Sequence, residues 1–158
     1  MDKAKALFCA LAIIVSQISF SLEIASAVTG TFNCGTSGTY SVIDGVLQGN
    51  NNTCTGALVL DASVTTINYA TMFYSSTGLT SVSIPATTLS ISYYAFAAYK
   101  SPALMEYVVD PNNPNYSSLD GVLYNKNRTR LIAYPYGKNV TSFSVPASVT
   151  TIDSSAFN

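Results

Sequence analysis

The chain has 158 residues, of which 48% are apolar, 9% are charged and none is histidine. An average soluble protein is about a quarter charged; here the net charge is −1 and the cations are scattered, so charge gives no reason to bind nucleic acid or an acidic membrane. Without histidine, Ser-His and Cys-His catalysis, histidine metal sites and a histidine pH switch are excluded.

Lys3 and Lys5 precede ten apolar residues, Ala6 to Val15, and Ala25-Ser26-Ala27 supplies a small-x-small site. That order predicts a secretory signal peptide over residues 1–27. The apolar run falls short of the roughly 20 residues a spanning helix needs. The competing reading is a membrane-anchored N-terminus, since a moderately apolar stretch extends to Leu22. Cleavage after Ala27 removes Cys9 and leaves Cys34 and Cys54. In an oxidising compartment they are most simply a disulfide, with two free thiols as the alternative. Closing such a loop is worth on the order of 3 kcal/mol in the chain-entropy model. Residues 28–57 are then expected to form a disulfide-closed N-terminal cap that shields the first coil of a repeat region.

That region repeats itself. Leu58-Val59-Leu60-Asp61-Ala62-Ser63-Val64-Thr65-Thr66-Ile67 is echoed by Val82-Ser83-Ile84-Pro85-Ala86-Thr87-Thr88-Leu89-Ser90-Ile91 and by Phe143-Ser144-Val145-Pro146-Ala147-Ser148-Val149-Thr150-Thr151-Ile152. The last two continue to Ala95-Phe96 and Ala156-Phe157. Leu60 to Ile84 is 24 residues, Ile84 to Val109 is 25, and Val109 to Val145 is 36, one period plus an insertion. A period in the twenties with one apolar strand per unit indicates a leucine-rich-repeat solenoid. Alternation at Val82/Ile84, Tyr107/Val109 and Phe143/Val145 predicts strands with one buried face, and Ile91/Phe96 and Ile152/Phe157 the opposite wall. In the insertion, Asp120-Gly121 opens Val122-Leu123-Tyr124, a polar stretch runs from Asn125 to Arg130, and Leu131-Ile132-Ala133-Tyr134 returns. This predicts a β-hairpin projecting from the solenoid. Its opening, Tyr116 to Leu123, resembles Tyr40 to Leu47 inside the cysteine loop.

With these residues in view, Ile84-Pro85-Ala86 through Ile91 to Ala95-Phe96, and Val145-Pro146-Ala147 through Ile152 to Ala156-Phe157, resemble the BspA-like leucine-rich repeats of secreted and surface proteins. The run Tyr116–Tyr124 with Leu131–Pro135 is similar to that family's recurring insert. The resemblance covers about residues 58–157. It departs at Asp61, where the family has proline, at Thr71-Met72 in place of Ala-Phe, and at Ala97-Ala98-Tyr99 in place of a cysteine or asparagine step. It implies a secreted recognition or adhesion module and carries over no catalytic residue.

Candidate chemistry is sparse. Asp44, Asp61, Glu106, Asp110, Asp120 and Asp153 are spread one per coil or turn, which suits turn and solubility roles rather than a facing carboxylate pair. Asp110-Pro111-Asn112-Asn113-Pro114-Asn115 offers one carboxylate among prolines, a rigid turn rather than a calcium loop. Tyr93, Tyr94, Tyr107 and Tyr134 sit at or beside core positions and read as packing. Sequons at Asn51, Asn115, Asn127 and Asn139 matter only in a eukaryotic secretory pathway. If the apolar strand positions face inward, Ser81, Ser83, Glu106, Val108, Ser142 and Ser144 form an outward ladder. Such an open solenoid face is where partners bind; a merely solvated sheet face is the alternative.

The expected fold is mainly β: a short right-handed leucine-rich-repeat β-solenoid with single helical turns near Tyr93–Tyr99. The expected function is binding or adhesion outside the cell, to a protein or cell-surface ligand, without enzyme activity, cofactor or metal. A passive envelope spacer and a targeting fragment of a larger secreted hydrolase are the alternatives. The chain stops at Asn158 in mid-unit, which reads as part of a longer array.

Overall fold

A two-residue hairpin turn needs positive φ at both central positions, which Asp-Gly supplies. In the computed structural model, which describes residues 29–49, 54–68, 76–96 and 101–157, this pair makes the same turn twice. Asp44 and Gly45 have φ of 51° and 76°, and Asp120 and Gly121 have 51° and 77°. The first turn joins β2 (Thr39–Ile43) to β3 (Val46–Gly49), which with β1 (Gly30–Asn33) form an antiparallel meander. Cys34, just after β1, is bonded to Cys54, with Cα atoms 5.1 Å apart. The predicted leader 1–27, the Asn51 sequon, Thr71-Met72 and Ala97-Ala98-Tyr99 lie outside the described residues.

Next come the coils. β4 (Thr55–Val59), β6 (Gly78–Ile84) and β8 (Glu106–Val109) pair in parallel as one sheet. Leu58, Leu60, Val82, Ile84, Tyr107 and Val109 are buried beneath it, the alternation a one-sided strand requires. β5 (Thr66–Ile67) and β7 (Ser90–Ile91) form a second wall, extending the meander's sheet in parallel beyond β3. Between the walls each coil turns alike. The amide of Val64 donates to the Asp61 carbonyl at 3.0 Å, Thr88 to Pro85 at 3.2 Å, Asn113 to Asp110 at 2.9 Å and Val149 to Pro146 at 2.9 Å. Proline fixes its own φ at the first residue of this turn, while aspartate in the same place closes the turn with its side chain. The carboxylates of Asp61 and Asp110 accept from the amides of Ser63 and Asn112, each at 2.8 Å.

Stacked turns bury carbonyls that need donors. Thr88 and Asn113, both fully buried, supply them. The Thr88 hydroxyl donates to the Val64 carbonyl at 2.8 Å, and Asn113 Nδ2 donates to the Pro85 and Thr88 carbonyls at 2.8 and 2.9 Å.

The insertion is β9 (Tyr116–Leu119), β10 (Val122–Asn125) and β11 (Arg130–Ala133), with β12 (Thr151–Ile152) parallel to β11. The expected hairpin forms, and residues 126–129 at its tip are exposed. Its stem does not stand away: Val122, Leu123, Tyr124, Leu131, Ile132 and Ala133 are all buried. Two further expectations are corrected. Tyr93–Phe96 is a turn closed by the Ala95 amide on the Ser92 carbonyl at 2.9 Å, and no helix occurs among the described residues. Phe143–Val145 is not a strand, and Val145, Ile152 and Phe157 are 41%, 48% and 50% exposed. The reason is occupancy. The Tyr107 amide donates to the Gly121 carbonyl at 2.8 Å and the Val109 amide to Ser118 Oγ at 3.1 Å. The insertion therefore takes the edge of β8 where a further coil strand would pair. Phe143 packs instead against Tyr134, ring centroids 4.8 Å apart.

Tyr107 lies under the face sheet with its ring 4.8 Å from Phe96. Its buried hydroxyl has no hydrogen-bond partner among the described residues, and burial pushes the phenol well above its ordinary range. An orphaned buried hydroxyl costs about 1–3 kcal/mol. Tyr107→Phe should therefore raise the urea midpoint. Tyr116→Phe should lower it, because the Tyr116 hydroxyl accepts the Ile91 amide at 2.8 Å. A destabilised Tyr107→Phe would show that the hydroxyl is satisfied in solution.

Candidate partner face

The register of β4, β6 and β8 sets outward side chains in rows. Ala57, Ser81 and Glu106 form one row, and Val59, Ser83 and Val108 the next. The structure thus brings together Ser81, Ser83, Glu106 and Val108. It does not bring Ser142 and Ser144 to them: both are exposed but lie outside any strand, displaced with Phe143 by the insertion. The face is correspondingly shorter than the sequence ladder. It is also more apolar, because Val59 joins it from the first coil. Val59 and Val108 are 68% and 43% exposed on either side of the half-buried Ser83. They line a hollow of about 290 Å³ with Pro85, and Asp110 stands at its rim. Val59 was readable, since it precedes Ser83 by the same 24 residues that separate Leu60 from Ile84.

Gly121 anchors the far border of this face. At φ 77° it sits against β8, and a Cβ there would come within 2.8 Å of the Glu106 Cβ. A side chain at Gly121 would thus push the insertion off the strand it covers.

The acids take varied places. Asp44 and Asp120 are in the hairpin turns, Asp61 and Asp110 in the coil turns, and Glu106 is exposed on the face. Asp153 departs from the surface role expected of it: it is 9% exposed. Its carboxylate accepts from Arg130 Nε and, at 2.9 Å, from Arg130 Nη2. Hydrogen bonding by Asp153 pushes the Arg130 guanidinium above its ordinary value. Nothing in a linear reading joins Arg130 in β11 to Asp153, 23 positions on and just after β12, so the sequence gives no sign of this pair. Among the described residues no group of three or more Cys, Asp or Glu is placed to hold a metal ion, and no helix is long and apolar enough to cross a membrane.

Comparison with known proteins bears on the coils. No curated protein matches the chain. Among solved structures, a leucine-rich repeat protein from Eubacterium ventriosum is 20% identical, with a TM-score of 0.52, over 82% of this chain and 57% of its own. The pneumococcal vaccine antigen PcpA is 28% identical, with a TM-score of 0.48, over 54% of this chain and 21% of its own. The chain therefore spans only part of either protein. The likeness to the Eubacterium ventriosum protein is one of fold. The model of the BspA type leucine rich repeat region matches residues 50–112, which hold the coil turns at Asp61, Pro85 and Asp110. Turn geometry and sheet layout make the fold a leucine-rich-repeat β-solenoid, and its residues 50–112 match the BspA type of that repeat.

Proposed function

We propose that the chain is a secreted or surface-exposed binding module that holds a partner protein against the β4–β6–β8 face. The observation that carries this reading is the Val59–Ser83–Val108 row. Apolar side chains stand exposed there around a hollow, on a rigid parallel sheet with one carboxylate at the rim. Interface cores are poor in charge and favour shallow apolar fit of this kind. A leader-like N-terminus and a buried Cys34–Cys54 bond support an extracellular setting. The meander β1–β3 and its disulfide then act as the cap of the first coil.

The face lacks aromatic anchors, so one module should bind weakly, at about micromolar or worse, and adhesion would rest on several modules acting together. The test is binding of immobilised full chain to a panel of extracellular matrix and serum proteins. A partner that binds the wild type should lose about tenfold or more in affinity with Ser83→Arg, which fills the hollow with a charged side chain. Ser144→Arg, at an exposed position off the sheet, should bind as wild type. Equal binding by all three proteins would remove this face as the contact surface.

A further inference from the structure

β7 is the last strand of its sheet. One period on, Asn115 and Tyr116 occupy the places of Ser90 and Ile91, but there the chain turns off into β9 instead of pairing. Asn115 Nδ2 donates to the Leu89 carbonyl at 2.7 Å, and the Ile91 amide donates to the Tyr116 hydroxyl at 2.8 Å. These side chains close the edge that a further strand would have paired with. A groove of about 360 Å³ lies beside it, between β7 and the insertion, with Tyr116, Lys126, Asn127, Arg130 and Asp153 in its lining. It shares no residue with the hollow on the β4–β6–β8 face.

This groove carries one positive charge in excess. Lys126 and Arg130 are its two cations and Asp153 its single acid. Asp153 is buried and engaged by Arg130 through Nε and Nη2. Lys126 Nζ donates only to uncharged groups, the carbonyls of Pro111 and Asn113 at 2.9 and 2.6 Å, so its charge stays uncompensated. In the adjoining hollow Arg128 and Asp110 stand with Lys126, one of each sign, and leave that excess as it is.

Donors are left over as well. An ammonium has three N–H groups, and Lys126 uses two of them on carbonyls. A guanidinium has five, and Arg130 uses two on Asp153. Because Asp153 takes the Nε–Nη2 side, the end formed by Nη1 and Nη2 remains as a second fork, on a side chain 49% exposed. Tyr116 accepts from the Ile91 amide, and its own O–H meets no acceptor among the described residues. The Asn127 side chain is exposed and makes no hydrogen bond to them.

We propose that this groove binds a single carboxylate carried on a small polar molecule. One uncompensated cation suits a monoanion, which a phosphate monoester near neutral pH is not. An ionised carboxylate only accepts hydrogen bonds, and its two oxygens fit the paired N–H groups at one end of an arginine. Hydrogen bonds between ionised partners are roughly twice as strong as neutral ones, so an uncharged molecule forgoes the main attraction. The volume lies at the low end of the about 300–1,000 Å³ usual for small-ligand sites. A peptide strand finds no edge to join, because Asn115 and Tyr116 already hold the Leu89 carbonyl and the Ile91 amide.

Saturation-transfer NMR on the full chain at pH 7 and low salt tests this, with protein made in bacteria so that the Asn115 and Asn127 sequons stay bare. The probes are galacturonate and N-acetylneuraminate as sugar acids, and lactate and N-acetylglycine as acids without a sugar ring. The methyl ester of galacturonate and glucose 6-phosphate are the uncharged and doubly charged comparators. At least one carboxylate should bind at about millimolar Kd or tighter. If the sugar acids lead, the carrier is an acidic sugar; if the other two bind as tightly, the carboxylate alone is recognised. The methyl ester should bind at least about tenfold more weakly than its parent acid, and salt at about 0.5 M should weaken every acid. Asn127→Glu, which cancels the excess charge from an exposed position, should cost about tenfold or more in affinity, and Lys126→Gln should act in the same direction. Ser83→Arg on the other face should leave binding unchanged. The proposal is overturned if no carboxylate binds, if the ester binds as tightly as galacturonate, if glucose 6-phosphate binds tighter than every carboxylate, or if a folded Asn127→Glu binds as wild type.

Discussion

Replacing Asn113 by alanine should cost about 3–5 kcal/mol, a large part of the stability of a domain this size. The side chain is fully buried and makes four hydrogen bonds to backbone. Nδ2 donates to the Pro85 and Thr88 carbonyls, and Oδ1 accepts from the amides of Asn115 and Tyr116 at 2.9 and 2.8 Å. Alanine leaves all four groups without their partner, in a site fully buried in the wild type. An unmade hydrogen bond in the interior costs far more than a made one contributes. Asn112, one residue away, is exposed and engages through its backbone amide, so Asn112→Ala should shift stability by no more than about 0.5 kcal/mol. Urea unfolding of both variants checks the contrast. A loss under about 1 kcal/mol at Asn113 would mean that the second and third coils are not stitched together through this side chain.

The second large effect is expected at Phe96. Its side chain is 4% exposed and lies against the Tyr107 ring, between coil turns. Phe96→Ala should cost about 3–5 kcal/mol, because lost transfer energy and an unfilled cavity add. Phe157 holds the equivalent place in the last unit but is 50% exposed, resting on Tyr134 at 5.2 Å. Phe157→Ala removes roughly half as much apolar surface from cover and should cost about 1 kcal/mol. Thermal or urea unfolding of the two variants separates the cases. Equal losses would mean that the two Ala-Phe steps sit in equivalent surroundings in solution, against their difference in exposure.

Much of the architecture was legible because a solenoid is nearly one-dimensional. Each coil contacts its neighbours, so a repeated pattern of apolar positions fixes which residues stack. Leu60, Ile84 and Val109 lie in the core at the spacing read from the chain. Asp61 and Asp110 take the turn place of proline because a short carboxylate can close the same turn on its own backbone. The outward ladder was legible in its middle and misplaced at one end: the row through Ser83 lies on the sheet, and Ser142 and Ser144 fall off it. Phe143-Ser144-Val145 carries the strand pattern as clearly as Val82-Ser83-Ile84 does. Alternation states only that a segment can bury one face, and whether it joins a sheet depends on a free edge to pair with.

By itself, then, the sequence determined the period, the coil turns, the inward residues of the parallel strands and the two Asp-Gly hairpins, all of which arise from local stereochemistry repeated at a constant step. Tertiary structure decided where each hairpin docks. Tyr40 to Leu47 and Tyr116 to Leu123 read alike and make turns of nearly the same φ. Yet the Gly45 carbonyl accepts from the amides of Thr65 and Thr66 in the second wall, while the Gly121 carbonyl accepts from Tyr107 beneath the face sheet. The difference lies in which strand edge stands open beside each turn. An open edge is a property of the assembled sheets, and the residues of the turn do not encode it.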